Sequence, residues 1–387
     1  MPLPPTSRNG LAIRIVLAAS LTVPAAVTVS ANASAAAGGP DQTARAAAPA
    51  GHRTVAATTA GTLLGWGEGN DGQLGNGHRT KVQSTPVRGP AAAGRHGDIG
   101  AGGLRHTLAL TSTGRVLAWG FNGDGELGDG SRKNTDTPVW VKLPTGTKIA
   151  AIRAGCDHSL ALTTAGRVLA WGLNEFGELG TGNKRTYTTP VAVKVPRRTR
   201  IKAISAGCDH HLALTTTDQV LAWGRGLYGQ LGIGSHSLRT RPVRVHLPAK
   251  SRIGMIAAGC LHSLAVSTHG QFYGWGFNAI GQIGDGTTTE RDTPVKVSLG
   301  GWVNGSPRPR VVSLFGGLGH SLALLSDGVL LAWGNNLYGQ LGDGTGNNSY
   351  VAVQVAEPGG TKVAAIAAGG FNGLALSSTH QLRAPGQ

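Results

Sequence analysis

The stretch AGCDHSLALTTAGRVLAWGLNEFGELGTG, residues Ala154 to Gly182, returns in recognisable form along almost the whole of the 387-residue chain. Anchored on its Trp-Gly pair, it recurs at Trp66, Trp119, Trp171, Trp223, Trp275 and Trp333, with spacings of 53, 52, 52, 52 and 58 residues. A period that regular marks an array of structural repeats and dictates the fold. Within the unit, Leu160 to Thr164 reads as a strand, Ala165-Gly166 as a tight turn, and Val168 to Trp171 as the hairpin partner. Ile152 to Gly155 supplies a strand before the hairpin. Thr189 to Val193 supplies one after it, in which Pro190 suits an edge or a strand start. A lone four-stranded sheet cannot bury both faces, so the units must stack, and radial stacking gives an all-β propeller.

The pieces HSLALT, G-x-V-L-A-W-G, G-Q/E-L-G-x-G and T-P-V keep their phase from unit to unit. Together they resemble the RCC1 (regulator of chromosome condensation) repeat, in the form of a secreted bacterial RCC1-like propeller, over about residues 55 to 387. The repeat units fall at about 55–98, 99–148, 149–200, 201–252, 253–310, 311–361 and, in part, 362–387. Six complete units can be counted, whereas the resemblance implies seven blades, so the number stays open at this point. The first unit lacks the opening strand, with Arg53 where the His should fall. The last runs out at Pro385, where the next Trp is due. Partial units at the two ends are expected to complement each other and close the ring, which removes exposed strand edges.

Residues 1–35 contain Arg8, Arg14 and no acid, then an apolar run from Ile15 to Val29 and small residues at Ala31-Asn32-Ala33. They read as a secretory signal peptide. Residues 36–54 are rich in Ala, Gly and Pro and read as a disordered leader.

His106, His158, His210, His262 and His320 share one position in successive units. One residue type distributed around a ring does not converge on a substrate. These side chains are therefore read as structural, each bonding a neighbouring backbone group. Cys156, Cys208 and Cys260 also share a phase. Equivalent positions in neighbouring blades are expected to lie beyond the roughly 7 Å Cα limit of a disulfide, and their spacing matches no zinc pattern, so small buried thiols are the expectation. The Gly-rich segments Gly229 to Gly234 and Gly339 to Gly344 lack the Lys-Ser/Thr of a phosphate loop and read as turns. The aromatic row Phe176, Tyr228 and Tyr338 reads as inter-blade packing. No nucleophile, base and stabiliser can be named together, and no cofactor or metal is implied.

The chain carries a net charge of +16, two units of which belong to Arg8 and Arg14. Its cations cluster in connections: Arg132-Lys133, Lys184-Arg185, Arg239, Arg241 and Arg244, then Arg197, Arg198, Arg200 and Lys202, and Lys250 with Arg252. Both faces of the ring are expected to be basic around the second to fourth units and to attract polyanions. The one break in the period, Gly300 to Arg310, makes Trp302, Arg308 and Arg310 candidates for partner contact, alongside Arg197, Arg198, Arg200 and Phe371. The expectation is a secreted, non-catalytic scaffold that binds a protein or an envelope polyanion. The resemblance raises two alternatives, guanine-nucleotide exchange on a small GTPase and β-lactamase inhibition. Export would separate the chain from a cytosolic GTPase, and nucleic acid would be held only through non-specific charge.

Overall fold

The computed structural model describes residues 53–57, 63–88, 99–299, 309–356, 362–368, 373–377 and 382–383. Each hairpin and flanking run read from the sequence is a strand. The first sheet holds β1 (Arg53–Ala57), β2 (Leu63–Gly69) and β3 (Thr80–Arg88). The second holds β4 (Ile99–Gly102), β5 (His106–Leu110), β6 (Val116–Gly120) and β7 (Thr135–Trp140). The third is β8 (Ile149–Ala154), β9 (His158–Thr163), β10 (Val168–Gly172) and β11 (Tyr187–Ala192). The fourth is β12 (Ile201–Ala206), β13 (His210–Thr215), β14 (Val220–Gly224) and β15 (Arg239–Arg244). The fifth is β16 (Ile253–Ala258), β17 (His262–Ser267), β18 (Phe272–Gly276) and β19 (Arg291–Val297). The sixth is β20 (Val311–Gly316), β21 (His320–Leu325), β22 (Leu330–Gly334) and β23 (Ser349–Gln354). The seventh is β24 (Val363–Ala368), β25 (Gly373–Ser377) and β26 (Leu382–Arg383).

The described residues therefore form seven antiparallel sheets of a β-propeller, which answers the question of six or seven. Among the described residues the shortfall is shared: the first sheet has no opening strand and the last no closing one. These two terminal sheets are separate ladders, and no strand pairing joins them among the described residues.

Strands two and three of the third unit are buried along their whole length, while the fourth, β11, is half-exposed. The cause is stacking: an inner hairpin covered on both sides reads as continuous apolar sequence, and the outer strand meets water. No single core exists. Each apolar cluster is built from two consecutive sheets; one joins Leu108, Val116 and Leu127 of the second to Ile152, Leu169 and Trp171 of the third. The first strands of successive sheets, from β4 to β24, lie against one another around the axis.

A polar junction orders the stacked pairs of the first six units. Ser159 and Trp171 face each other across the β9–β10 ladder, and both donate to the Glu126 carbonyl of the preceding unit, at 2.9 Å from Oγ and 2.7 Å from Nε1. Thr107 and Trp119 use the Gln73 carbonyl in the same way, Ser263 and Trp275 that of Gln230, and Ser321 and Trp333 that of Gln282. The Gly of the Trp-Gly pair adopts left-handed φ, 101° at Gly172, where a Cβ would stand 2.7 Å from the His158 Cα. Gly128 is equally constrained, because a Cβ there would meet the Trp171 Nε1 at 2.7 Å.

The repeated His belongs to this junction, with a partner other than the backbone group expected. His106 Nε2 is 2.9 Å from Ser159 Oγ in the next unit, and His210 and His262 meet Ser263 and Ser321 at 2.8 Å. Between the third and fourth units the pattern changes, because His211 stands where the Ser should be. Its ring meets that of His158 edge-on at 4.4 Å, and neither nitrogen of His211 nor the Nε2 of His158 has a hydrogen-bond partner.

That same junction carries a disulfide between Cys156 and Cys208, whose Cα atoms are 4.6 Å apart. The expectation of separate thiols is thus corrected. The loops after the first strands turn over beside the axis, where neighbouring blades are closest, and the backbone there bonds directly from unit to unit, as from Leu104 N–H to the Cys156 carbonyl. Cys260 remains a thiol, and burial pushes its pKa up to about 12.

Two outcomes test the junction. Ser263→Ala should destabilise the chain by about 1–3 kcal/mol in thermal or urea unfolding, because it strands a buried His and half-empties a carbonyl. His211→Ser should raise the melting temperature by restoring the missing bridge. Reductant should lower the melting temperature of the parent, with up to about 4 kcal/mol from a loop of this length, and leave Cys156→Ser/Cys208→Ser unmoved.

Candidate binding site

Antiparallel order sends the loops after strands one and three to one face of the propeller, and the hairpin turns and inter-unit links to the other. The first is the loop face, the second the link face. Their chemistry differs.

On the loop face a buried Asn (Asn122, Asn174, Asn278 and Asn336) braces the Gly-rich turns of four units: Asn174 accepts from the Leu179 N–H at 2.9 Å and donates to the Arg185 carbonyl at 2.9 Å. The segments read as turns are turns. Cations here meet acids and rings. Arg105 grips Asp71 at 2.7 and 3.0 Å and lies 3.8 Å over Phe121. Arg225 pairs with Asp209 at 3.1 Å and sits 4.5 Å over Phe176, Arg291 pairs with Asp285 at 2.7 Å, and Arg132 reaches Asp124 at 3.4 Å. Phe176 thus packs against the following unit, as does Tyr228, whose ring meets Phe277 at 5.1 Å. Tyr338 is half-exposed, beside an exposed Leu337.

Two carboxyl groups lie beneath this surface. Glu126 and Glu178 occupy the position held by Gln73, Gln230, Gln282 and Gln340 in other units, and accept the Asp124 and Phe176 N–H groups at 2.9 Å. Burial pushes each up to about 8, with the nearby carboxylates adding to it. Asp157 is raised to about 6, first by burial and then by Asp124 and Asp209, with Arg105 opposing. Arg153, on β8, has its pKa lowered by burial and donates to the Ile152 carbonyl at 2.8 Å. His158, His210 and His262 are pushed down to about 3 by burial and stay neutral in the junctions.

The link face is predominantly cationic. Arg197, Arg198, Arg200, Lys250, Arg252 and Arg310 are exposed there, with Lys148, Arg167, Lys202 and Lys362. Among the described residues its acids are Asp218 and Asp327. Asp218 is held below the usual carboxylate range, first by Lys202 at 2.6 Å and also by Arg252 at 2.8 Å. Both faces carry cations around the second to fourth units, but the loop face interleaves its cations with carboxylates, and the excess charge collects on the links.

Two link cations are held in unfavourable backbone. The turn from Pro144 to Thr147 places Gly146 at φ 73°; the equivalent turns place Arg198 at 61° and Lys250 at 64°. Left-handed geometry costs a residue with a Cβ about 1–2 kcal/mol, and such strain collects where a side chain has a task. Of the sequence candidates, Arg197, Arg198, Arg200 and Arg310 share this face; Trp302, Arg308 and Phe371 lie outside the described residues. The sequence reading missed the strain, which the alignment of Gly146 with Arg198 and Lys250 could have signalled.

The class is now defined: a β-propeller of short repeats joined through buried polar junctions, with one balanced face and one cationic face. The chain belongs to the RCC1-like domain family, whose model matches residues 23–306 and 98–387. The Ultraviolet-B receptor UVR8 of Arabidopsis thaliana is 32% identical over 335 residues, which is 86% of this chain and 74% of that protein. The E3 ubiquitin-protein ligase HERC2 of Homo sapiens is 36% identical over 249 residues, 64% of this chain but 5% of the ligase. Among solved structures, human WBSCR16 is similar with a TM-score of 0.79 at 23% identity, covering 88% of each chain. Yeast RCC1 (Prp20), solved with Kap60, gives 0.72 at 25% identity, covering 86% of this chain and 80% of that one.

The raised carboxyls set the alkaline limb of stability. With a folded pKa near 8 and an unfolded one in the ordinary range, the folded chain holds extra protons between those values. Stability from these groups is full below pH 4.5 and is lost as pH rises to about 8. Glu126→Gln/Glu178→Gln should therefore match the parent near pH 5 and exceed it at pH 8 by about 1–3 kcal/mol per site in urea unfolding. Equal stability of the two at both pH values would contradict this assignment.

Proposed function

We propose that this chain is an exported, non-catalytic scaffold that binds a polyanion through its link face. The observation that carries the reading is the segregation of unpaired cations onto that face, two of them kept in left-handed backbone. A predominantly cationic surface concentrates polyanions and binds them with strong salt dependence. Export is supported by the signal-like residues 1–35 and by the Cys156–Cys208 bridge, a bond that persists in oxidising compartments. The non-catalytic reading is supported by the repeated His, whose bridging contacts serve the junctions. The half-exposed Tyr338 and exposed Leu337 favour a second reading, protein docking on the loop face, with Trp302 and the 300–310 loop as the sequence candidates.

The test is capture on immobilised polyphosphate and on heparin, with elution by a salt gradient. The parent should elute late, and Arg198→Gly/Lys250→Gly should elute earlier while gaining about 1 kcal/mol or more in stability from relief of strain. Elution of the parent with the void at about 50 mM salt would sink the polyanion reading. Deletion of residues 300–310 separates off the protein-docking reading, which requires a partner lost with the loop. Nucleotide-release and β-lactamase assays on the same preparation test the two activities raised by the family resemblance.

A further inference from the structure

Five of the link-face cations occupy one structural position. Lys148, Arg200, Arg252, Arg310 and Lys362 each stand immediately before the first strand of a unit, at the feet of β8, β12, β16, β20 and β24. Those strands lie side by side around the axis, so the five positions step around the axis on the link face. All five residues are exposed. This arrangement differs from a scatter of surface charge, because it converges.

The backbone at this position is pinned from two directions. Within its own unit, the cation's carbonyl accepts from the hairpin turn: Thr164 to Lys148 at 3.0 Å, Thr216 to Arg200 at 2.9 Å, Thr268 to Arg252 at 2.7 Å and Ser326 to Arg310 at 2.7 Å. The next residue donates to the hairpin turn of the preceding unit: Ile149 to Gly114 at 2.9 Å, Ile201 to Gly166 at 3.0 Å, Ile253 to Asp218 at 3.0 Å and Val363 to Gly328 at 3.2 Å. The turn residue also touches the cation's stem; a Cβ on Gly328 would meet that of Lys362 at 2.8 Å. Each charge therefore starts from a fixed root; Arg252 is tied to Asp218, while Lys148, Arg200, Arg310 and Lys362 make no ion pair among the described residues. Among the described residues, the acid set into the ring is Asp218, shared by Arg252 and Lys202, so Lys202 offsets it.

We propose that this ring is an axial site for one compact anion bearing several phosphate or sulfate groups, held by cations from successive blades. It rests on the polyanion reading and narrows it, from attraction over a face to a single site on the axis. Rotational repetition suits such a ligand. Tetrahedral oxyanions disposed around a small ring can each take a separate cation, and charge-assisted contacts from pre-set positions add up with little ordering cost.

Isothermal titration of the full chain with inositol hexakisphosphate and with sucrose octasulfate tests the site, with orthophosphate at matched ionic strength as the control. Expected is a stoichiometry of one, with orthophosphate far weaker. Arg200→Gln/Arg252→Gln/Arg310→Gln should weaken binding by about 100-fold or more. Two charge-matched triples should weaken it by less than about fivefold. They are Arg197→Gln/Arg198→Gln/Lys250→Gln on the outer links and Arg132→Gln/Lys184→Gln/Arg185→Gln on the loop face. All these side chains are exposed, and the melting temperature of each variant reports that it has folded. Preference for one probe assigns phosphate or sulfate as the recognised group. Equal losses in all three triples, or several ligands per chain, would overturn the axial site while leaving diffuse polyanion binding intact. Failure of the parent to bind either probe or polyphosphate would remove both.

Discussion

Everything in this molecule hangs on a carbonyl shared between neighbours. At each regular junction one backbone oxygen, from Gln73, Glu126, Gln230 or Gln282, receives a hydroxyl and an indole N–H that face each other across the next hairpin. Each bond adds only about 1 kcal/mol net. Its weight lies in the penalty for leaving it unmade, since a buried indole N–H or carbonyl without a partner costs more than the bond gains. Apolar stacking between sheets tolerates sliding, whereas two donors aimed at one acceptor do not. The junction therefore fixes the offset of each blade on the last, and with it the places where loops and links emerge.

The third junction shows how much freedom this scheme leaves. His211 removes the hydroxyl and leaves the His158–His211 ring contact in place of a hydrogen bond, while Trp223 keeps its bond to the Glu178 carbonyl at 2.7 Å. One polar tie is gone there, and a covalent tie, Cys156 to Cys208, spans the same pair of units. The carboxyls of Glu126 and Glu178 make the same point in another way. They do the work of Gln by remaining protonated, so this part of the frame is sensitive to alkali where its Gln-bearing neighbours are not.

Most of the fold was legible in the period. The strands around Trp171, the buried inner hairpin and the half-exposed outer strand follow from alternation, turn chemistry and the need to stack. Sequence distance could not give radial distance, which is why Cys156 and Cys208 were expected apart: 52 residues in sequence correspond to adjacent loops beside the axis. The His partner was misjudged for a related reason, since the Ser that meets His106 sits one unit on, in a string already assigned to a strand. The cations of the binding face were all visible as a list. What sorted them was topology, which put the carboxylates with one half of the connections and left Arg197, Arg198 and Arg200 with the other.

The junctions also have a direction. In each regular one among the described residues the shared carbonyl belongs to the earlier unit, and the hydroxyl and indole that donate to it belong to the later one. A chain that leaves the ribosome or a translocation pore N-terminus first thus exposes each acceptor before the donors that need it, and every new hairpin docks onto a surface already built. Assembly can proceed as a ratchet, blade upon blade, with each step sealed by groups that have just arrived.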